Sequence, residues 1–236
     1  MSTLLFIHGS GCTGDAFKNQ MQFFPGSHAP NLPGHECEGA AASVSEFADF
    51  IENYIAEHHL SNVVLCGNSL GGAIALEAGL RQVPAVRAIA LLGSGARLRV
   101  SPAILSGLCD DFEQTAAQIA AWMFADPTPE RTAAALASIR SVGRDQTLRD
   151  FVACDGFDVT ERLPELLVPL LALTGERDVM TPPKYAQLLV DRVPRGELRI
   201  VPGAGHLVMI ERSTETNDAI ASFVQQVDAV NGGPRA

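Results

Sequence analysis

Along the chain, short and nearly continuous apolar runs alternate with longer stretches in which apolar residues recur every three or four positions. The short runs fall at residues 4–8, 62–67, 86–92, 170–175 and 197–201, with a weaker one near 27–31. Most of these runs are apolar at nearly every position, which fits strands covered on both faces. Between them, Val44, Phe47, Ala48, Ile51, Tyr54 and Ile55 share one helical face, with Ser43 or Ser45 as a cap. Residues 70–82, rich in small side chains, read as a helix packed closely on the sheet. Residues 183–192 and 215–230 read as the last two helices, the second burying Ile220, Phe223, Val224 and Val227. Strands alternating with helices predict an α/β fold built on a mostly parallel sheet of about six strands.

One stretch breaks the rhythm. From residue 97 to 157 no run reads as a strand, and the pattern predicts helices at 102–110, 113–124, 129–142 and 146–154. Asp126-Pro127-Thr128-Pro129 and Gly143 mark the breaks. A helical insertion of this kind most often covers an active site. The expected division is a core of residues 1–96 and 156–236, with a helical cap at 97–155.

Composition narrows the partners. Of 236 residues, 47% are hydrophobic and 19% charged, enough for one compact domain with a sizeable core. A formal charge of −10 argues against nucleic acid or an anionic membrane as a general partner. No basic and apolar leader precedes the first strand, and no run is long enough to span a bilayer. Cys12, Cys37, Cys66, Cys109 and Cys154 are odd in number and lack the spacing of a metal site. They read as free thiols of a reducing compartment, so the expected location is cytoplasmic, without metal or organic cofactor. Residues 231–234 read as a frayed tail. The pattern leaves the oligomeric state open.

The chemistry begins at Gly67-Asn68-Ser69-Leu70-Gly71, a G-x-S-x-G sequence with an apolar strand before it and a helix after it. A serine in such a turn is aimed out of the sheet. Side chains at the flanking glycines would strike neighbouring backbone. The hydroxyl needs a base, and the base an orienting acid. His206 lies in Pro202-Gly203-Ala204-Gly205-His206, after the last strand. Asp178 lies in Gly175-Glu176-Arg177-Asp178, after the strand before it. In a parallel sheet, loops at the carboxyl ends of the strands open onto one edge, where Ser69, Asp178 and His206 can converge.

With these residues, Phe6-Ile7-His8-Gly9-Ser10-Gly11 and Asn31-Leu32-Pro33-Gly34-His35, the chain resembles the α/β-hydrolase superfamily, in its esterase-like branch with a helical cap. The resemblance covers nearly the whole chain. It implies an oxyanion hole made by the backbone N–H groups of Leu70 and Ser10, each donor worth roughly 3 kcal/mol. It also implies that the first two family strands are missing. Asn31 stands where relatives often have aspartate, and Glu36 where glycine is usual, changes expected to alter loops rather than chemistry.

Other residues have structural roles available. His8 and His35 are expected to hold loops, His58 and His59 to end a helix, and Asp155 and Asp158 to cap; His28 falls in the weak strand. Cys12, Ser94, Arg97, Trp122 and Met123 are the pocket candidates. Arg97 and Arg99 suit an anionic substrate group, or a solvated helix start. The expected function is hydrolysis of small to medium carboxylic esters through a Ser-His-Asp triad and an acyl-enzyme. The same triad also serves C–C hydrolysis, thioester hydrolysis, perhydrolysis or a lyase reaction, and the fold also serves non-catalytic ligand binding.

Overall fold

The computed structural model describes residues 2–231. The tail read as frayed lies, beyond Asn231, outside the described residues. Five strands form one sheet, β1 (Thr3–Ile7), β2 (Val63–Asn68), β3 (Val86–Leu92), β4 (Leu170–Gly175) and β5 (Gly196–Val201), in spatial order β1-β2-β3-β4-β5. Every pairing is parallel. The weak sixth run contributes a single bridge, in which His28 meets Leu5 outside β1. Its backbone donates to Leu4 O and accepts from Phe6 N, at 2.9 and 2.8 Å. Pro25 and Pro30 flank it, and neither has an N–H with which to extend a ladder.

The helices are α1 (Lys18–Phe23), α2 (Val44–Glu57), α3 (Leu70–Leu80), α4 (Pro102–Asp110), α5 (Phe112–Trp122), α6 (Pro129–Val142), α7 (Arg144–Asp155), α8 (Pro183–Arg192), α9 (Val208–Glu211) and α10 (Ser213–Asn231). Strand periodicity divides the core. Leu5, Ile7, Val63 and Leu65 pack with Phe47 and Ile51 of α2 and Leu70 and Ile74 of α3. Leu4, Phe6, Val64 and Cys66 pack on the opposite face with Phe17, Ile220 and Phe223. Both faces are thus covered, as parallel sheets require. No helix among the described residues is long and apolar enough to cross a membrane.

Helices α4 to α7 occupy the chain between β3 and β4. Pro102 and Pro129 start α4 and α6, where a missing N–H costs nothing, and the side chains of Asp111 and Thr128 cap α5 and α6. The insertion leaves and returns through a closed neck. Arg97 and Asp158 form an antiparallel bridge, Val159 N donates to Ala96 O at 2.9 Å, and Val100 N donates to Asp155 Oδ1 at 3.0 Å. Asp155 and Asp158 therefore serve backbone donors at the neck, Asp158 also accepting from Thr160 N. Glu36 sits at φ 56°, in the left-handed region that explains why glycine is usual there. Asn31 accepts from Gly14 N at 2.8 Å.

Candidate active site

Ser69 stands between β2 and α3 with φ 54° and ψ −116°, a strained conformation for a residue with a side chain. The turn exists because its flanks are bare. A Cβ on Gly67 would lie 2.0 Å from Gly71 O, and one on Gly71 would lie 2.0 Å from Ile7 O. Ser69 O accepts from Gly72 N, from Ala73 N and, at 2.8 Å, from the Ser94 hydroxyl. Ser94 is thus buried behind the turn, bracing it, and is not among the cavity walls. The Leu70 amide opens α3 and has no intrahelical acceptor, and neither it nor the Ser10 amide has a hydrogen bond among the described residues.

His206, on the loop between β5 and α9, donates from Nδ1 to Asp178 Oδ2 at 2.9 Å. Both side chains are buried. Burial opposes charge on Asp178, but His206 and the Thr181 donors outweigh it and hold its carboxyl below the usual range. Met180 N and Thr181 N each donate to Asp178 Oδ1 at 2.9 Å, and the Thr181 hydroxyl donates to Oδ2 at 2.8 Å. Asn68 Nδ2 ties the loop of His206 to the serine turn through Leu92 O at 2.9 Å and His206 O at 3.2 Å. Engaging Nδ1 leaves Nε2 toward the cavity that Ser69 and His206 both line. No hydrogen bond joins Ser69 to His206 among the described residues, as is common before substrate binds.

That cavity has a volume of about 60 Å³. Ser10 and Cys12 line it from the loop after β1, and Leu98, Arg99, Met123, Phe151 and Cys154 from the helical segment between β3 and β4. Of the residues proposed from sequence for a pocket, Cys12 and Met123 line this cavity. Arg97 does not: it lies at the surface in an ion pair with Asp158 at 3.2 Å, and Arg99 lines the cavity instead. Trp122 also departs, being 39% exposed at the end of α5, outside the cavity lining. Helix α5 stops two residues earlier than its pattern suggests, which turns Met123 inward and Trp122 out. Beyond Cys12 and Leu207, which wall both spaces, a larger groove of about 590 Å³ runs between α6 and the segment of α1.

The histidines behind the site are held as loop supports. His8 donates from Nδ1 to Gly9 O at 3.0 Å and accepts at Nε2 from Leu32 N at 3.0 Å, which fixes it as a neutral ring. Burial, then the neighbouring His35, push its pKa down to about 3 against a small opposing effect of Gly9 O. His35 Nε2 donates to Asp150 Oδ2 at 2.9 Å. Glu211 is a buried carboxylate that accepts from Ala125 N, Asp126 N and Gly205 N, joining the segment after α5 to the loop of His206. Among the described residues no group of three or more His, Cys, Asp or Glu is arranged to hold a metal, and the five cysteines are free.

Thr181, Asn68, Asp150 and Glu211 were not singled out by pattern. Thr181 alone left a local signal: a threonine three residues after an aspartate is a turn-forming pair. The other partners lie far off in sequence.

The chain is similar to a thermophilic esterase of known structure, with a TM-score of 0.87 and 32% identity over 95% of this chain and 90% of that one. It is 23% identical over 219 residues to a pimeloyl-[acyl-carrier protein] methyl ester esterase of Yersinia enterocolitica, covering 84% of this chain and 83% of that protein. It is 30% identical over 179 residues to the polyketide synthase ThaQ of Burkholderia thailandensis, covering 69% of this chain but only 8% of that much longer protein. With a strained serine turn, a buried His–Asp pair and a model of that family matching residues 4–219, the chain belongs to the alpha/beta hydrolase family.

Proposed function

We propose that this protein hydrolyses small to medium carboxylic esters through an acyl-enzyme on Ser69. His206 takes the Ser69 proton through Nε2 as Oγ attacks the carbonyl carbon, and Asp178 holds the ring in the tautomer that accepts there. The amides of Leu70 and Ser10 donate to the oxyanion. His206 then protonates the leaving alcohol, and a water deprotonated by His206 releases the acid. The observation that carries this reading is the buried 2.9 Å His206–Asp178 hydrogen bond, on a ring lining the same cavity as Ser69. The esterases among its relatives support it.

Substrate size follows from volume. A cavity of about 60 Å³ seats the reacting carbonyl and a short acyl group. The acyl chain extends past Cys12 and Leu207 into the groove beside α6, whose Ala134, Ala135, Phe124 and Ile210 present an apolar floor. A second reading, an acyl group borne on an anionic carrier, draws on Arg99, which lines the cavity and has no ion pair among the described residues. Thioester hydrolysis by the same groups belongs to that reading. A panel of p-nitrophenyl esters and acyl thioesters, with the Ser69→Ala protein as control, tests the proposal. Ester turnover and organophosphonate labelling, both abolished in Ser69→Ala, are the expected result. Turnover that survives this change rules out Ser69 as nucleophile.

A further inference from the structure

The loop that carries Ser10 is held by the cap. Gly11, one residue on, has φ 66° and is gripped on both sides of its backbone. Its N–H donates to Asp150 Oδ2 of α7 at 3.2 Å, and its carbonyl accepts from the Ser138 hydroxyl of α6 at 2.9 Å. A Cβ on Gly11 would lie 2.8 Å from Ile139 Cγ1, so α6 also seats directly on this peptide. Ser10 Oγ meets Cys154 Sγ of α7 at 3.7 Å. Four inserted side chains, Asp150, Ser138, Ile139 and Cys154, thus meet two consecutive loop residues.

Asp150 is the centre of this arrangement. It is fully buried, and its two oxygens are committed: Oδ2 to Gly11 N and His35 Nε2, Oδ1 to Gln146 Nε2 at 2.9 Å. The His35 ring in turn packs edge-on against His8, with centroids 4.7 Å apart. His8 holds Gly9 O at the other end of the loop. Residues 9 and 11 are therefore anchored, the first through His8 and the second by Asp150, and the Ser10 amide between them has no acceptor among the described residues. By taking the Gly11 N–H, Asp150 fixes the plane of the peptide that follows Ser10.

We infer that Asp150 is a positioning residue for the oxyanion hole, through which the cap aims the Ser10 amide at the acyl oxygen. The inference rests on the proposed Ser69 chemistry. It makes the cap part of the catalytic scaffold: with the cap lifted, Gly11 loses the partners of both its N–H and its C=O, and the Ser10 donor is no longer aimed. A donor displaced by a fraction of an ångström binds the ground-state carbonyl almost as before, but loses hold of the charge that develops later.

The test is kinetic. Asp150→Asn keeps the shape and removes the charge that orders the three donors. Its kcat should fall about 10- to 100-fold with KM changed little, the size of a small misplacement of catalytic groups. A trifluoromethyl ketone, which forms a tetrahedral adduct on Ser69, should lose affinity in proportion to kcat/KM, whereas a planar amide analogue of the substrate should bind as before. Ser138→Ala, a milder change on a half-buried helix face, should move the same readouts in the same direction by about fivefold, and it covers the case in which Asp150→Asn does not fold. Unchanged ketone affinity in the folded variants, or a rise in KM at constant kcat, overturns the inference. Full ester turnover by Ser69→Ala overturns the nucleophile and this inference together. An inactive Ser69→Ala beside unimpaired Asp150→Asn and Ser138→Ala overturns this inference alone.

Discussion

At the scale of single residues, the site is set by what cannot be changed. A methyl group on Gly71 has nowhere to go, because its neighbour is the backbone carbonyl of Ile7 at 2.0 Å rather than a side chain able to move. Gly71→Ala should cost more than about 2 kcal/mol and abolish ester turnover, measured by urea unfolding and p-nitrophenyl ester rates. A stable, active Gly71→Ala would mean that the turn is looser than drawn. His8 adds a dependence on pH. Its folded pKa is about 3, against 6.5 for a free ring, so below pH 6.5 the unfolded chain takes up a proton that the folded chain refuses. Stability at this residue is complete above pH 6.5 and declines as pH falls toward 3. Between pH 6.5 and 5 the loss is about 1.6 kcal/mol, the slope approaching roughly 1.4 kcal/mol per unit at the lower pH. Unfolding curves at the two pH values, for the wild type and His8→Asn, measure it, and equal slopes in both proteins would remove His8 as the cause.

At the scale of elements, legibility followed length and punctuation. Helices α4, α6 and α8 begin at Pro102, Pro129 and Pro183, and their limits were readable from those residues and the apolar period that follows. Strands β3 and β4 were readable as nearly continuous apolar runs, β3 being interrupted only by the exposed Arg87. Helix α1, with six residues, and α9, with four, are too short to display a period, and neither was anticipated. The order of Ser69, Asp178 and His206 was readable because each follows its own strand. The exchange of Arg97 for Arg99 was not, since it depends on Asp158 across the neck. Short α9 nonetheless holds Glu211, which binds the end of α5 to the base loop. Glu211→Gln replaces one acceptor by a donor facing buried N–H groups and should cost about 2 kcal/mol in urea unfolding. Unaltered stability would show that those amides find other partners.

At the scale of the whole molecule, a small cavity at Ser69 stands beside a much larger groove, and the proposed reaction gives each a part. The groove beside α6 is about tenfold larger than the cavity and shares Cys12 and Leu207 with it. Ala134 lies exposed on the groove wall, away from the triad. Ala134→Trp should leave acetate ester hydrolysis intact and lower octanoate ester turnover about tenfold, since a chain denied apolar cover loses binding in proportion to the methylenes left in water. A uniform loss across chain lengths, measured as kcat/KM for a homologous ester series, would place the chain elsewhere. The neck bears on the same scale. Between the end of β3 at Leu92 and the start of β4 at Leu170, the Arg97–Asp158 bridge ties the two ends of the helical segment to each other, apart from the sheet. Such an arrangement lets new substrate preferences arise by exchange of a roof on an unchanged foundation. On the role inferred for Asp150 the roof holds up a wall as well, so an exchanged cap would have to bring its own carboxylate for Gly11 to keep the proposed reaction.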